Sequence, residues 1–278
     1  MISLTCRREG RMGNQIIVYL VCFLISQKFK LKINIANYLY KEDINNLGII
    51  FEKYCEIETN NIEGDNNQRG KCINDPDVYP LLNDKTELNE NIWIHWWAYC
   101  QQPDVIKCII DYFYDKNNSL PKDIISNNKY KDRYNNNNDV FIHMRLGDCF
   151  KHGNVPRWPI LNYYKKSIML IKKDNSIDNI FITTDNKNHE LYSQLFNWCN
   201  DNEFNVVKYE ENHVDTILFG STCKNVILSA GSYGFIIGIF SFYSNIYVYE
   251  YAGRNWHPEY FCAFNHLPNV KMLTDEDF

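Results

Sequence analysis

The sequence predicts an α/β protein with parallel sheets covered by helices on both faces. Three observations carry that prediction. The chain opens as strand, glycine-containing turn, helix, strand. Its second half alternates short apolar runs with amphipathic helical patterns. Several of those apolar runs stop abruptly at clusters of polar residues, as the strands of open α/β sheets do where they meet a ligand.

In the first half, "ISLTC" (2–6) is a short apolar strand and "RREGRMGNQ" a turn. From Ile16 the pattern becomes helical and runs to about Lys28, and "LKINIAN" (31–37) alternates as a second strand. Residues 55–92 are polar and show no clear period. The aromatic segment "IWIHWWAYCQQ" (92–102) starts as a strand. "PDVIKCIIDYFYD" (103–115) is a helix: Pro103 suits the first turn, and Val105, Ile106, Ile109, Ile110 and Phe113 share a face. The polar stretch that follows is the expected boundary between a domain of residues 1–125 and a second of residues 126–278.

The second half reads as a strand at 139–144, a helix at 161–173, a strand at 179–186, a helix at 189–201 and a strand at 204–209. A helix at 215–223 follows, then strand, turn and helix through "NVILSAGSYGFIIGIFS", and a strand at 245–253. No internal repeat is present.

Composition narrows the function classes. With 278 residues, 45% hydrophobic and 23% charged, the chain has the make-up of a globular protein with a sizeable core. A net charge of −5 argues against nucleic acid as a partner, because phosphate neutralisation needs a positive surface. The ten cysteines are scattered, with no C-x-x-C, which fits reduced thiols rather than a disulfide framework or a zinc site. The apolar run "QIIVYLVCFLI" is short for a bilayer span, carries "GNQ" at its start and is followed by no cleavage site. It is read as a core helix, and no membrane insertion is expected. Heavy use of Asn, Lys and Ile points to the A/T-rich genome of a microbe or a large DNA virus.

Three polar clusters fall at expected strand ends of the second half: "HMRLGD" (143–148), "TTDN" (183–186) and "SAGSYG" (229–234). Arg145 offers a planar fork suited to phosphate oxygens, and Gly147 permits a tight turn. "SAGSYG" precedes a helix, whose first N–H groups suit an anion. Asp185 is placed to accept hydrogen bonds from a ribose or a base edge. Together they read as a nucleoside-diphosphate pocket. "GRMGNQ" (10–15) is a small-residue loop suited to the same crevice from the first domain. Each cluster alone has a structural reading as well, with a strand-end Asp or Arg paired across the sheet.

In this order the motifs resemble the α-1,2-fucosyltransferases. That family has G-R-x-G-N-Q, a G-Y-x-Q segment, H-x-R-x-G-D-Y, a YY helix, F-S-D-D and D-x-x-x-M-S-x-C-x-x-x-I-x-x-N-S-S-F-S-W-W. This chain has G-R-M-G-N-Q, W-W-A-Y-C-Q-Q, H-M-R-L-G-D, a YY helix, I-T-T-D-N and D-x-x-L-F-G-S-x-C-K-N-V-I-L-S-A-G-S-Y-G, over roughly residues 1–240. It departs from the family where S-A-G-S-Y-G-F-I replaces N-S-S-F-S-W-W, where T-T-D-N replaces F-S-D-D, and at Leu146, where a second Arg is often found.

The resemblance implies a GT-B-like fold, two Rossmann-like domains facing a cleft, with GDP held by the C-terminal one. It implies an inverting transferase moving fucose from GDP-fucose to a glycan hydroxyl in α-1,2 linkage, with no metal and no further cofactor. By position Arg145 binds the β-phosphate, and His143 and Asp148 shape the same loop. Asp185 lies near the guanosine, and Ser229, Ser232 and Tyr233 lie at the phosphate-facing turn. Gly13 and Asn14 line the cleft from the first domain.

For the acceptor side the candidates are His95, Trp96, Trp97 and His152, with the aromatics stacking on a sugar or filling the core. Asp148, His152 and His95 are alternative general bases, and the sequence does not choose among them. The partners expected are a nucleotide-sugar donor and a glycan acceptor. The expected location is the cytoplasm of a microbe or an infected cell, and the sequence sets no oligomeric state. Two alternatives stay open: a transferase or hydrolase acting on another nucleotide sugar, and a descendant that binds nucleotide or glycan without turnover.

Overall fold

The computed structural model describes residues 3–6, 11–36, 40–60, 70–84, 87–95, 98–147, 161–229, 231–249 and 269–274. The chain divides into two compact units, Met1–Ile125 and Ser126–Phe278. Each is built on a wholly parallel sheet with helices packed against it, the α/β, GT-B-like architecture expected from the sequence.

The first unit contains β1 (Ser3–Cys6), α1 (Met12–Phe29), β2 (Lys32–Ala36), α2 (Lys41–Asn46), β3 (Ile57–Asn60), β4 (Lys71–Ile73), α3 (Asp75–Asn83), β5 (Ile92–Ile94) and α4 (Pro103–Tyr114). Its sheet runs β3-β2-β1-β5-β4. The chain winds outward from β1 through β2 to β3, then returns to the other side. The order therefore reverses between β1 and β5. α1 packs against β1, β2, α3 and α4 with Ile16, Ile17, Leu20, Val21 and Phe23 buried. It has the length and apolar composition of a membrane span, and most of its residues are buried inside this unit, as befits a helix apolar on every side.

α5 (Ser119–Asn127) carries the boundary between the units. The second unit continues with β6 (Val140–Met144), α6 (Leu161–Asp174), β7 (Ile180–Thr184), α7 (Glu190–Asp201), β8 (Val206–Lys208), α8 (His213–Gly220), β9 (Asn225–Leu228), α9 (Ser232–Phe240), β10 (Asn245–Tyr249) and β11 (Val270–Leu273). The sheet order β11-β10-β9-β6-β7-β8 reverses between β6 and β9. β6 and β9 are buried along their whole length, which is why both read as unbroken apolar runs.

The structure differs from the sequence reading in definite places. α1 begins at Met12 rather than Ile16: its first turn, with Met12, Gly13 and Gln15 buried, reads in sequence as a glycine-containing turn. The stretch read as irregular contains β3, β4 and α3. α3 was masked by two prolines: Pro76 sits in the first turn, where a proline is tolerated, and Pro80 lies inside. Its start is held by the Asp77 carboxylate accepting the Asn74 N–H at 3.0 Å. Its far end is held by Lys28 Nζ donating to the carbonyls of Leu81 and Asp84. β11, four residues at the sheet edge, gave no separate signal. Residues 250–253 of the last strand expected lie outside the described residues.

Cys22, Cys55, Cys72, Cys100, Cys108, Cys199 and Cys223 are free thiols. Burial pushes Cys55 up to about 11 and Cys199 and Cys223 up to about 12, which makes these interior thiols inert.

At the end of the second sheet opposite the polar clusters, the buried Asp139 pairs with the half-buried Arg133. Arg133 Nη2 lies 2.7 Å from Asp139 Oδ2, Arg133 Nε donates to Thr222 Oγ1, and the guanidinium stacks over Phe219 at 4.3 Å. Asn179 Nδ2 donates to the other Asp139 oxygen at 2.7 Å. Removing the carboxylate strands the charge and two donors. Asp139→Ala is expected to lower the free energy of unfolding by about 3 kcal/mol in urea titrations, with Asp139→Asn in between.

Candidate functional site

The ligand crevice of an open parallel sheet lies beyond the carboxyl ends of its strands, where the strand order reverses. In the second unit that is the mouth between β6 and β9. "HMRLG" leaves β6 there, and "SAGSYG" joins β9 to α9.

Three consecutive N–H groups leave the end of β6, and each is tied to a side chain from a neighbouring strand end. Arg145 N–H donates to Ser229 Oγ at 2.9 Å. Leu146 N–H and Gly147 N–H both donate to Asp185 Oδ1, at 2.6 and 2.8 Å. Asn186 Nδ2 adds a longer bond to the Leu146 carbonyl, 3.4 Å. The backbone donors of this loop are thereby consumed within the protein.

The Arg145 side chain is half-buried and lies across Gly231, where a Cβ would overlap Nη1. Gly231 has φ +108° and ψ 160°, a region open to essentially no other residue. It stands at the head of α9, which has no side-chain cap. The first N–H groups of α9 and the guanidinium thus share one place. Both favour an anion, the helix through its aligned dipoles and the arginine through its planar fork of donors. Gly234 allows the helix to lie close to β9, since a Cβ there would stand 2.6 Å from the Ser229 carbonyl oxygen.

His143 is the last inward residue but one of β6 and is 5% exposed. Its Nδ1 pairs with Ser229 Oγ at 3.1 Å, and its ring lies 5.3 Å from that of Tyr233. The Tyr233 hydroxyl donates to the His213 carbonyl at 2.6 Å. Burial pushes the His143 imidazole down to about 4. Arg145 acts in the same direction and Asp185 opposes it. His143 is therefore neutral across the physiological range and props Ser229 from behind.

In the first unit the corresponding mouth lies between β1 and β5. The first turn of α1 begins there with Gly13, which is buried, and Asn14. Gln101 Nε2 donates to Asn14 Oδ1 at 3.0 Å, which joins the "GRMGNQ" loop to the end of the aromatic segment. Cys100 holds the turn before Gln101 in a left-handed conformation at φ 55°, and its N–H donates to Asp75 Oδ1 at 2.7 Å. His95, just past β5, packs 5.6 Å from the Trp93 ring, and its N–H continues the ladder to the Ile73 carbonyl.

Of the residues singled out from the sequence, His143, Arg145, Asp185, Ser229, Ser232 and Tyr233 come together at the mouth of the second sheet. Ser232 opens α9. Ser229 is 1% exposed, and its Oγ accepts the Arg145 N–H. Gly13, Asn14 and His95 lie at the mouth of the first sheet. Asp148, His152, Trp96 and Trp97 lie outside the described residues. Sequence reasoning missed Gln101, Asn186 and the role of Gly231. Asn186 lies in the "TTDN" cluster, and Gln101 stands where the G-Y-x-Q segment has its Gln, so the motifs themselves were the signal available for each.

No protein-family model matches the sequence, and neither does any curated protein. Solved structures do share the fold. The NodZ α-1,6-fucosyltransferase soaked with GDP-fucose is 10% identical, over 88% of this chain and 94% of that one, with a TM-score of 0.51. NodZ from Bradyrhizobium is 11% identical over the same shares, with a TM-score of 0.50. POFUT1 in complex with GDP is 9% identical over 87% and 96%, at 0.49. At such identities the NodZ likeness speaks for the fold alone.

The buried imidazole gives this site a pH signature. Unfolded, His143 takes up a proton near 6.5; folded, only near 4. Between those values the unfolded chain binds more protons, so stability falls as pH falls through that window and is untouched above pH 7. The loss approaches about 1.4 kcal/mol for each pH unit. His143→Gln is expected to flatten the slope of unfolding free energy against pH between 6.5 and 4 relative to the parent protein.

Proposed function

We propose that this protein is a glycosyltransferase that takes a sugar from a nucleoside diphosphate and moves it to a glycan hydroxyl. The motifs favour GDP-fucose as donor, an α-1,2 linkage, inversion at the anomeric carbon and no metal. One observation carries the reading: Arg145 lies over Gly231 at the uncapped head of α9, where the strand order reverses. The fold shared with NodZ, solved with GDP-fucose, supports it.

In this reading the acceptor oxygen attacks the anomeric carbon as the bond to the β-phosphate oxygen breaks. Negative charge grows on the leaving diphosphate. Arg145 and the first N–H groups of α9 are fixed in advance against that charge, which is where electrostatic preorganisation acts. The acceptor proton passes to a general base, with Asp148, His152 and His95 as the candidates.

The non-enzymatic alternative drew on the loss of the aromatic pair after "SAGSYG". Phe235 and Ile236, which stand there, are 1% and 0% exposed inside α9. Changes at those positions alter helix packing, and this favours the enzyme over the inactive descendant.

Calorimetric titration with GDP, UDP and dTDP without added metal tests the donor. GDP is expected to bind selectively, and Arg145→Ala to weaken it by about 10- to 100-fold, the range for a hydrogen bond to a charged group. The same substitution is expected to lower the transfer rate with GDP-fucose by about 10²–10³. Selective UDP or dTDP binding would replace the donor, and binding of no nucleotide would overturn the reading.

A further inference from the structure

We propose that Asp185 is a positioning residue, which with Gly147 forms a bracket that aims Arg145, and that it touches no part of the nucleoside. The inference rests on the reading of Arg145 as the diphosphate ligand. A carboxylate at a strand end facing a nucleotide crevice would ordinarily be taken as a ribose or base ligand. Asp185 is an exposed residue, and its two described hydrogen bonds turn Oδ1 back to the β6 loop.

Its Oδ1 accepts two successive N–H groups, those of Leu146 and Gly147, and so pins the backbone that directly follows Arg145. Its Oδ2 lies 2.7 Å from where a Cβ on residue 147 would stand, with the carboxyl carbon at 3.1 Å. Glycine at 147 and the carboxylate at 185 are therefore two halves of one fit. A methyl group at 147 must displace a carboxylate already held by two hydrogen bonds.

On the other side Ser229, propped by His143, holds the Arg145 N–H itself. The backbone of Arg145 is thus gripped from the β7 side and from the β9 side at once, while its guanidinium reaches across Gly231. The separate motifs "RLG" and "TTD" are linked by geometry rather than by a shared ligand.

The bracket predicts coupling that a nucleoside ligand would not show. The probes are GDP, IDP and 2′,3′-dideoxy-GDP, which differ only in the base edge and the ribose hydroxyls. Asp185→Ala is expected to weaken all three by the same factor, about tenfold, because the loss acts through Arg145 and the shared diphosphate. Asp185→Asn keeps a carbonyl oxygen for the same two N–H groups and is expected to stay within about threefold of the parent. Gly147→Ala reads the bracket from its other half and is expected to weaken all three probes alike. The double variant Gly147→Ala/Asp185→Ala is expected to bind no worse than the weaker single, since removing the carboxylate makes room for the methyl group.

Three outcomes overturn the bracket. One is a change in the ratios among the probes in Asp185→Ala, another is no loss in that variant, and the third is additive losses in the double variant. If the parent protein binds none of the probes, the GDP donor fails, and amide hydrogen exchange at 145–147 still decides the bracket. Exchange is expected to quicken in Asp185→Ala and to stay slow in Asp185→Asn. Unchanged exchange in Asp185→Ala overturns it.

Discussion

A parallel strand that ends where the strand order reverses has backbone donors and no neighbour to receive them. β6 meets that constraint at Arg145, Leu146 and Gly147, and the local structure follows from how it is satisfied. Ser229 comes from β9 and Asp185 from β7, the two strands that flank β6. A buried or half-buried N–H left without an acceptor costs about 1–3 kcal/mol, so the loop is held in one shape. In that shape the Arg145 side chain reaches Gly231 at the head of α9.

The same constraint explains residue choices that otherwise look unrelated. Gly147 is small because a carboxylate occupies its side-chain space. Gly231 is glycine because of its backbone angles and because a guanidinium lies over it. His143 is neutral because burial disfavours its charged form, and its Nδ1 pairs with the Ser229 hydroxyl. Among the described polar residues at this mouth, Ser229 and Asp185 accept the N–H groups of residues 145–147, while the Arg145 guanidinium lies across Gly231. The first sheet repeats the arrangement on a smaller scale, with Asn14 and Gln101 bonded at its own reversal point and Asp75 fixing the turn that presents Gln101.

Much of the fold was legible in the sequence because the relevant signals are local. The α4 face of Val105, Ile106, Ile109, Ile110 and Phe113 is buried as its spacing required, and β6 and β9 are the unbroken apolar runs of a covered parallel sheet. Elements whose signals are weak or contradictory were lost: α3 with its two prolines, the three-residue β4 and the edge strand β11. The site was legible as a set of residue types at strand ends. Its division of labour was not, because whether Asp185 turns back to Leu146 depends on a neighbour 39 residues away in sequence.

The sequence by itself determined the α/β class, the ends of most long elements and the gathering of Arg145, Asp185 and "SAGSYG" at one edge of one sheet. These follow from hydrophobic period, from glycine and from the rule that parallel strands all point their carboxyl ends the same way. The tertiary structure decided which of those groups hold the backbone at the end of β6. That decision is made by hydrogen bonds between strand ends distant in sequence, such as Ser229 with Arg145 and Asp185 with Gly147. Such bonds exist only once β7 and β9 have taken their places on either side of β6.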